Sequence, residues 1–103
     1  MARIGTQKVI STTSQEVFVD SAIVAMAVCN TDASNAALLT VSVQPREETK
    51  SAVSNFHVIW RQQVAANSTS TLQFDNYSIT LDPLQKLLVV ADRTVTFYLV
   101  QEA

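Results

Sequence analysis

The sequence predicts an all-β chain, an antiparallel β-sandwich, Ig-like or jelly-roll-like, of about eight to nine short strands. Three observations predict it. Valine dominates the apolar residues and stands beside abundant Thr and Ser, a β-branched bias that suits pleated, half-buried strands. Apolar runs are short, evenly spaced and separated by Asn, Asp, Ser or Pro, the punctuation of turns. Several runs alternate strictly, as in Val95, Phe97 and Leu99 against Thr94, Thr96 and Tyr98, which is the period of a strand with one face inward. A small β-barrel is the alternative.

Arg3 to Thr12 alternates weakly around Val9-Ile10 and reads as an edge strand, broken by Ser11 to Ser14. Gln15 to Val19 is a second strand, closed by Asp20-Ser21. Ala22 to Cys29 and Ala36 to Val43 are the most apolar runs of the chain. With the polar turn Asn30 to Asn35 between them they read as a β-hairpin. Ile23, Ala25, Ala27 and Cys29 share one face of the first run, and Val24, Met26 and Val28 share the other. Both faces are apolar, so one of them is free to serve an interface. Pro45 ends the second run because proline cannot donate to a ladder.

Arg46 to Ala52 is the most charged stretch. It lacks an apolar stripe and reads as an exposed loop, with room for one helical turn. Phe56, Val58, Trp60 and Val64 alternate with His57, Ile59, Arg61 and Gln63 in the next strand. Strands over Thr69 to Phe74 and Tyr77 to Leu81 follow, then the turn Asp82-Pro83. Lys86 to Ala91 and Thr94 to Val100 form the last two strands around Asp92-Arg93. Gly5 is the only glycine, so the turns depend on Asn and Asp and are longer than primed two-residue turns.

The 103 residues suffice for one domain and one core, and 48% apolar content argues against disorder. A net charge of −2 gives no footprint for nucleic acid. No apolar run is long enough to span a bilayer as a helix, and Met1 to Lys8 does not open a secretory signal. One cysteine, Cys29, forms no intrachain disulfide and fits synthesis in a reducing cytoplasm.

Catalytic and metal readings find little support. His57 is the only histidine, so a zinc site would have to combine it with Cys29 and carboxylates from unrelated strands. Cys29 in an apolar strand reads as a small core residue rather than a nucleophile. Glu47 and Glu48 are neighbours on a loop, not opposed across a cleft. Asn67-Ser68-Thr69 and Asn76-Tyr77-Ser78 fit a glycosylation pattern that matters only on a eukaryotic secretory route. The glycine count excludes phosphate-cradling glycine loops. The sequence therefore predicts no enzyme and no cofactor. Trp60, Tyr77 and Tyr98 would make a sugar-stacking platform if they met on one surface.

The order of features resembles a group of small phage virion proteins. The resemblance is carried by the Ile23 to Asn30 strand ending in Asn30-Thr31-Asp32, by the Ala36 to Val43 strand, by Val64 to Ser68, and by Leu81 to Leu87 leading into the last two strands. It spans Val17 to Val100. Two features depart from it: Asp82 to Gln85 stands where an acidic-glycine turn is expected, and Arg46 to Asn55 looks like an addition. The resemblance implies a virion structural role without catalytic residues: a capsid decoration or cement protein, a neck or tail component, or a fibre-base module. It implies partners in copies of itself, as a cyclic oligomer with a trimer favoured, and in a major capsid or tail protein, with synthesis in the host cytoplasm and no nucleic-acid or membrane partner. The contact residues expected are Val24, Met26 and Val28 as an apolar patch and Arg46, Glu47, Glu48 and Lys50 as a charged loop. The alanine-rich face of the same strand is the other candidate. A carbohydrate-binding or host-recognition module is the reading from a different class.

Overall fold

A computed structural model describes residues 3–45, 57–74, 78–82 and 84–102, with the side chains of Arg3, Ile4 and Pro45 excepted. Eight strands lie among them: β1 (Arg3–Ile10), β2 (Gln15–Val17), β3 (Ile23–Asn30), β4 (Ala37–Pro45), β5 (His57–Val64), β6 (Ser68–Gln73), β7 (Gln85–Ala91) and β8 (Val95–Glu102). They form two four-stranded sheets, ordered β1-β8-β3-β6 and β2-β7-β4-β5. Every ladder is antiparallel.

The order has a simple logic. Strand β1 pairs with β8, β2 with β7, β3 with β6 and β4 with β5, so the chain is one long two-stranded ribbon folded at the β4–β5 end. Rolling that ribbon brings β8 against β3 and β7 against β4. The result is the jelly-roll form of the sandwich. No ladder joins the two sheets among the described residues, so the structure is not the small barrel weighed as an alternative.

The rolled topology corrects the predicted hairpin. Strands β3 and β4 do not pair; they lie in opposite sheets, and Thr31 to Ala36 arches between them. Each is an inner strand whose apolar residues meet those of the other sheet across the core. A two-sheet gap of about 10 Å explains why the connection is long and polar rather than a two-residue turn. The strand expected over Tyr77 to Leu81 is reduced, among its described residues, to one bridge between Ile79 and Ile23, with Ile23 N donating to Ile79 O at 2.7 Å and Ile79 N donating to Ile23 O at 3.0 Å.

The core fills from both sheets: Ile10, Met26, Val28, Phe97 and Leu99 from one, and Val17, Leu39, Val41, Val64, Leu87 and Val89 from the other. Alternation along β8 is regular, with Val95, Phe97, Leu99 and Gln101 buried and Thr96, Tyr98, Val100 and Glu102 turned outward. Two bulges interrupt this regularity. In β3 the register against β8 shifts between Ile23 and Ala25, so Val24 is the extra residue, and Ile23 and Val24 are both buried. In β5 the register against β4 passes from Trp60 to Val58, leaving Ile59 as the extra residue. A bulge flips the face of everything beyond it. Trp60 and Val64 keep the predicted inward side, whereas Val58 is paired with outward Ser42 and is 44% exposed.

Candidate interaction surface

The residues expected to form the apolar contact patch are core residues. Val24, Met26 and Val28 are 5%, 1% and 0% exposed. Met26 and Val28 sit opposite Leu99 and Phe97 of β8, on the side of the sheet that faces the second layer. The face left outside is the alanine-rich one, Ala25, Ala27 and Cys29, each half-buried. Arg46, Glu47, Glu48 and Lys50 lie outside the described residues, as do Phe56 and Tyr77.

The outer face of the β1-β8-β3-β6 sheet is assembled in rows. Val9, Thr96, Cys29 and Thr69 make one, and Gln7, Tyr98, Ala27 and Thr71 the next. Gly5, Val100, Ala25 and Gln73 make a third. These rows carry no charge, and most of their side chains are small. The rows are neutral, with Tyr98, 37% exposed, in the middle one.

The outer face of the β2-β7-β4-β5 sheet is more apolar. Leu38 of β4 and Val58 of β5 are exposed there, and Leu88 and Val90 of β7 are half-buried on the other side of β4. In register, Val58 pairs with Ser42, Ser42 with Leu88, and Leu88 with Glu16, while Arg61 pairs with Thr40 and Thr40 with Val90. The apolar stripe thus draws on three strands, β7, β4 and β5, with Glu16 and Arg61 on the two edge strands and the 2% exposed Ser42 between Leu88 and Val58. A cleft of about 390 Å³ opens on this face beside Leu38, Thr40 and Val90.

One end of the roll gathers its arches into a polar cluster. Asn30, fully buried, donates through Nδ2 to Asn35 O, Val64 O and Ala65 O at 2.9, 3.2 and 3.3 Å, and accepts Asp32 N–H at 3.1 Å. One side chain thereby ties the β3–β4 arch to the β5–β6 corner, where Asn67 takes the left-handed conformation at φ 57° that asparagine tolerates better than most residues. Asp32 Oδ1 accepts Ser34 N and Asn35 N, each at 2.9 Å. Those two main-chain N–H groups, Ser34 first, hold its carboxyl below the usual carboxylate range, helped by the Asn35 side chain and the Arg93 charge. Asp92 Oδ1 accepts Leu38 N at 2.8 Å, and Arg93 Nε donates to Ala36 O at 3.1 Å. The β7–β8 turn is thus stapled to the β3–β4 arch. A shallow cavity of about 490 Å³ lies between them, lined by Asp32, Asp92, Arg93 and four hydroxyl side chains.

At the opposite end Gln101, 4% exposed, accepts Asp20 N and Ser21 N through Oε1 at 2.9 and 3.1 Å, fixing the β2–β3 connection. Phe18, 67% exposed, borders a cavity of about 410 Å³ there.

The structure does not bring the predicted chemistry together. Cys29 is half-buried on the outer face of one sheet, not a core residue, and His57 is exposed at the start of a strand in the other sheet. Among the described residues no three His, Cys, Asp or Glu side chains stand close enough to share a metal ion. Trp60 packs against the core from β5, whereas Tyr98 stands on the outer face of the other sheet, so these two aromatics form no common platform. The polar arch cluster escaped the sequence reading. Its signal was present in the close spacing of Asn30, Asp32 and Asn35, but the partners, Val64, Ala65, Ala36 and Leu38, come from the rolled topology.

Fold and surface define an eight-stranded jelly-roll sandwich with broad, weakly charged outer faces. No protein-family model and no curated protein matches the chain. Among solved structures, the crystal structure of PirA is similar to it, with a TM-score of 0.51 at 11% identity over 94% of this chain and 91% of that one. At that identity the likeness concerns the fold alone.

Proposed function

We propose that this protein is a non-enzymatic structural subunit of a bacteriophage virion, a capsid decoration or cement protein that associates with copies of itself and binds the shell. The observation that carries the reading is the stripe of Leu38, Val58, Leu88 and Val90, none of which belongs to the core cluster and two of which are exposed. A monomer gains nothing from keeping such a stripe at its surface, whereas a docking subunit gains about 25 cal/mol for each Å² of apolar area it covers. The Glu16 and Arg61 rim supplies orientation more than affinity. Repetition over a symmetric shell then multiplies modest individual contacts by avidity. The resemblance of Ile23 to Asn30, Val64 to Ser68 and Leu81 to Leu87 to small virion proteins supports the biological setting.

Co-sedimentation with expanded shells of the phage that encodes the chain tests this reading. The wild type is expected to bind saturably, and the double variant Leu38→Lys/Val58→Lys to lose binding by at least about tenfold per site, since each buried Leu or Val contributes roughly 1.5–3 kcal/mol. Both positions are already exposed, so the variant is expected to keep the thermal stability of the wild type to within about 1 kcal/mol. Unchanged binding by the variant, or no binding by the wild type, would contradict the cement assignment. Neck, tail or fibre-base membership is the alternative placement and predicts binding to those parts instead.

A further inference from the structure

Among the described residues the jelly roll has four edge strands, and three of them are blunted. Strand β1 places Lys8 at an inward register position opposite Phe97. Strand β2 is three residues long and carries Glu16. Strand β5 is bulged at Ile59 and carries Arg61. Inward lysines, short strands and bulges are the devices that keep sheet edges from pairing with other chains. Strand β6, Ser68-Thr69-Ser70-Thr71-Leu72-Gln73, has none of them: it has no charge and no proline, and its ladder with β3 runs without a shift.

Its outer edge, which pairs with no other strand among the described residues, can be read from the register. Phe74 N donates to Val24 O at 3.1 Å, so in this antiparallel ladder the residues of β6 that bond to β3 are Phe74, Leu72, Ser70 and Ser68. The alternate residues, Thr69, Thr71 and Gln73, direct their main-chain N–H and C=O groups away from the sheet. All three are exposed. We propose that β6 pairs antiparallel with β6 of a second copy, with Thr71 on the two-fold axis, joining the two β1-β8-β3-β6 sheets into one of eight strands.

The occupant follows from self-complementarity. Around a dyad at Thr71, Thr69 faces Gln73 of the other copy and Thr71 faces its own counterpart, so all three outward-directed positions meet as bonded pairs and exchange about six main-chain hydrogen bonds. The side chains that meet are two β-branched hydroxyl residues and an amide. Such neutral cross-strand pairs stabilise a ladder, and no like charges are opposed. A strand paired with its own copy is isologous and closes at two, so the geometry assigns a dimer where the family resemblance suggested a trimer. The inference deepens the self-association part of the function proposed above and rests on it.

Light scattering on the intact chain, with variants confined to the free edge, tests the pairing. The wild type is expected at twice the chain mass, and Thr71→Pro and Thr71→Lys are expected to raise the dimer dissociation constant at least tenfold. Proline at this position removes a donor that points away from β3, and lysine opposes two charges on the axis. In a Cys29→Ala/Thr71→Cys chain, mild oxidation is expected to yield a covalent dimer, because bonded antiparallel pairs set their Cα atoms about 5.5 Å apart, within disulfide reach. This arm holds even if a Thr71 variant folds poorly. A monomeric wild type overturns both the pairing and the self-association beneath it. An oligomer unaffected by both Thr71 variants, with no covalent dimer from the cysteine chain, overturns the edge pairing alone, and its loss in Leu38→Lys/Val58→Lys would place self-association on the other sheet's face.

Discussion

Met26→Asp is expected to abolish cooperative folding. The side chain is 1% exposed, between the two sheets and opposite Leu99, and none of its core neighbours supplies a cation. An unpaired buried carboxylate costs several kcal/mol even after relaxation, comparable with the ~5–15 kcal/mol that a domain of this size has in total. Met26→Ala grades the same effect: lost contacts and a residual cavity remove about 3 kcal/mol, which lowers the melting temperature by more than about 10 °C. The neighbouring Ala27→Asp change points the carboxylate to the outer face, where water reaches it, and costs about 1 kcal/mol. Thermal and urea unfolding of the three variants check the contrast. Similar losses at positions 26 and 27 would mean that the strand does not present these faces as described.

Asn30→Ala is expected to cost about 3 kcal/mol. The loss has two parts: the hydrogen bonds themselves, and the carbonyls of Val64, Ala65 and Asn35 left without this donor. An amide has only two hydrogens to share among those three acceptors, so the side chain is fully committed and no substitute reproduces it. Asn30→Asp is the sharper test, since it changes one atom group, keeps the shape and the acceptor for Asp32 N, and replaces the donor with a carboxylate aimed at carbonyl oxygens. It is expected to destabilise at least as much as alanine near neutral pH. Denaturant titration with an unchanged slope would report a pure stability loss; a loss under 1 kcal/mol for both variants would show that the arches do not depend on this side chain.

The features hidden in the sequence share one cause, the rolled topology. Local pattern located the strands well: Val95, Phe97 and Leu99 alternate in the sequence and lie buried in the structure, and the run Lys86 to Ala91 is β7 almost residue for residue. Pairing was not legible, because the sequence neighbours Ile23–Asn30 and Ala37–Pro45 look like a hairpin yet belong to different sheets. An arch and a hairpin use the same polar residues, and only the ten-ångström span between layers distinguishes them. The contact face failed for a related reason. With both sides of β3 apolar, periodicity cannot say which one meets the second sheet, and the small side, Ala25, Ala27 and Cys29, is the outer one. A single bulge at Ile59 moved Val58 outward, which no reading of strict alternation recovers. The surface stripe of Leu38, Val58, Leu88 and Val90 was therefore hidden in the sequence, since its members come from three strands brought together by the roll.

Under the function proposed above, the apolar stripe and the β6 edge serve a subunit that covers surface. Quantitative mass spectrometry of purified particles tests that account most directly, by giving the stoichiometry of this chain relative to the major shell protein. A decoration role predicts a copy number that scales with the shell, near one chain per shell protein or a simple fraction of it. A handful of copies per particle would move the protein to the neck or tail, and its absence from the particle would contradict the account.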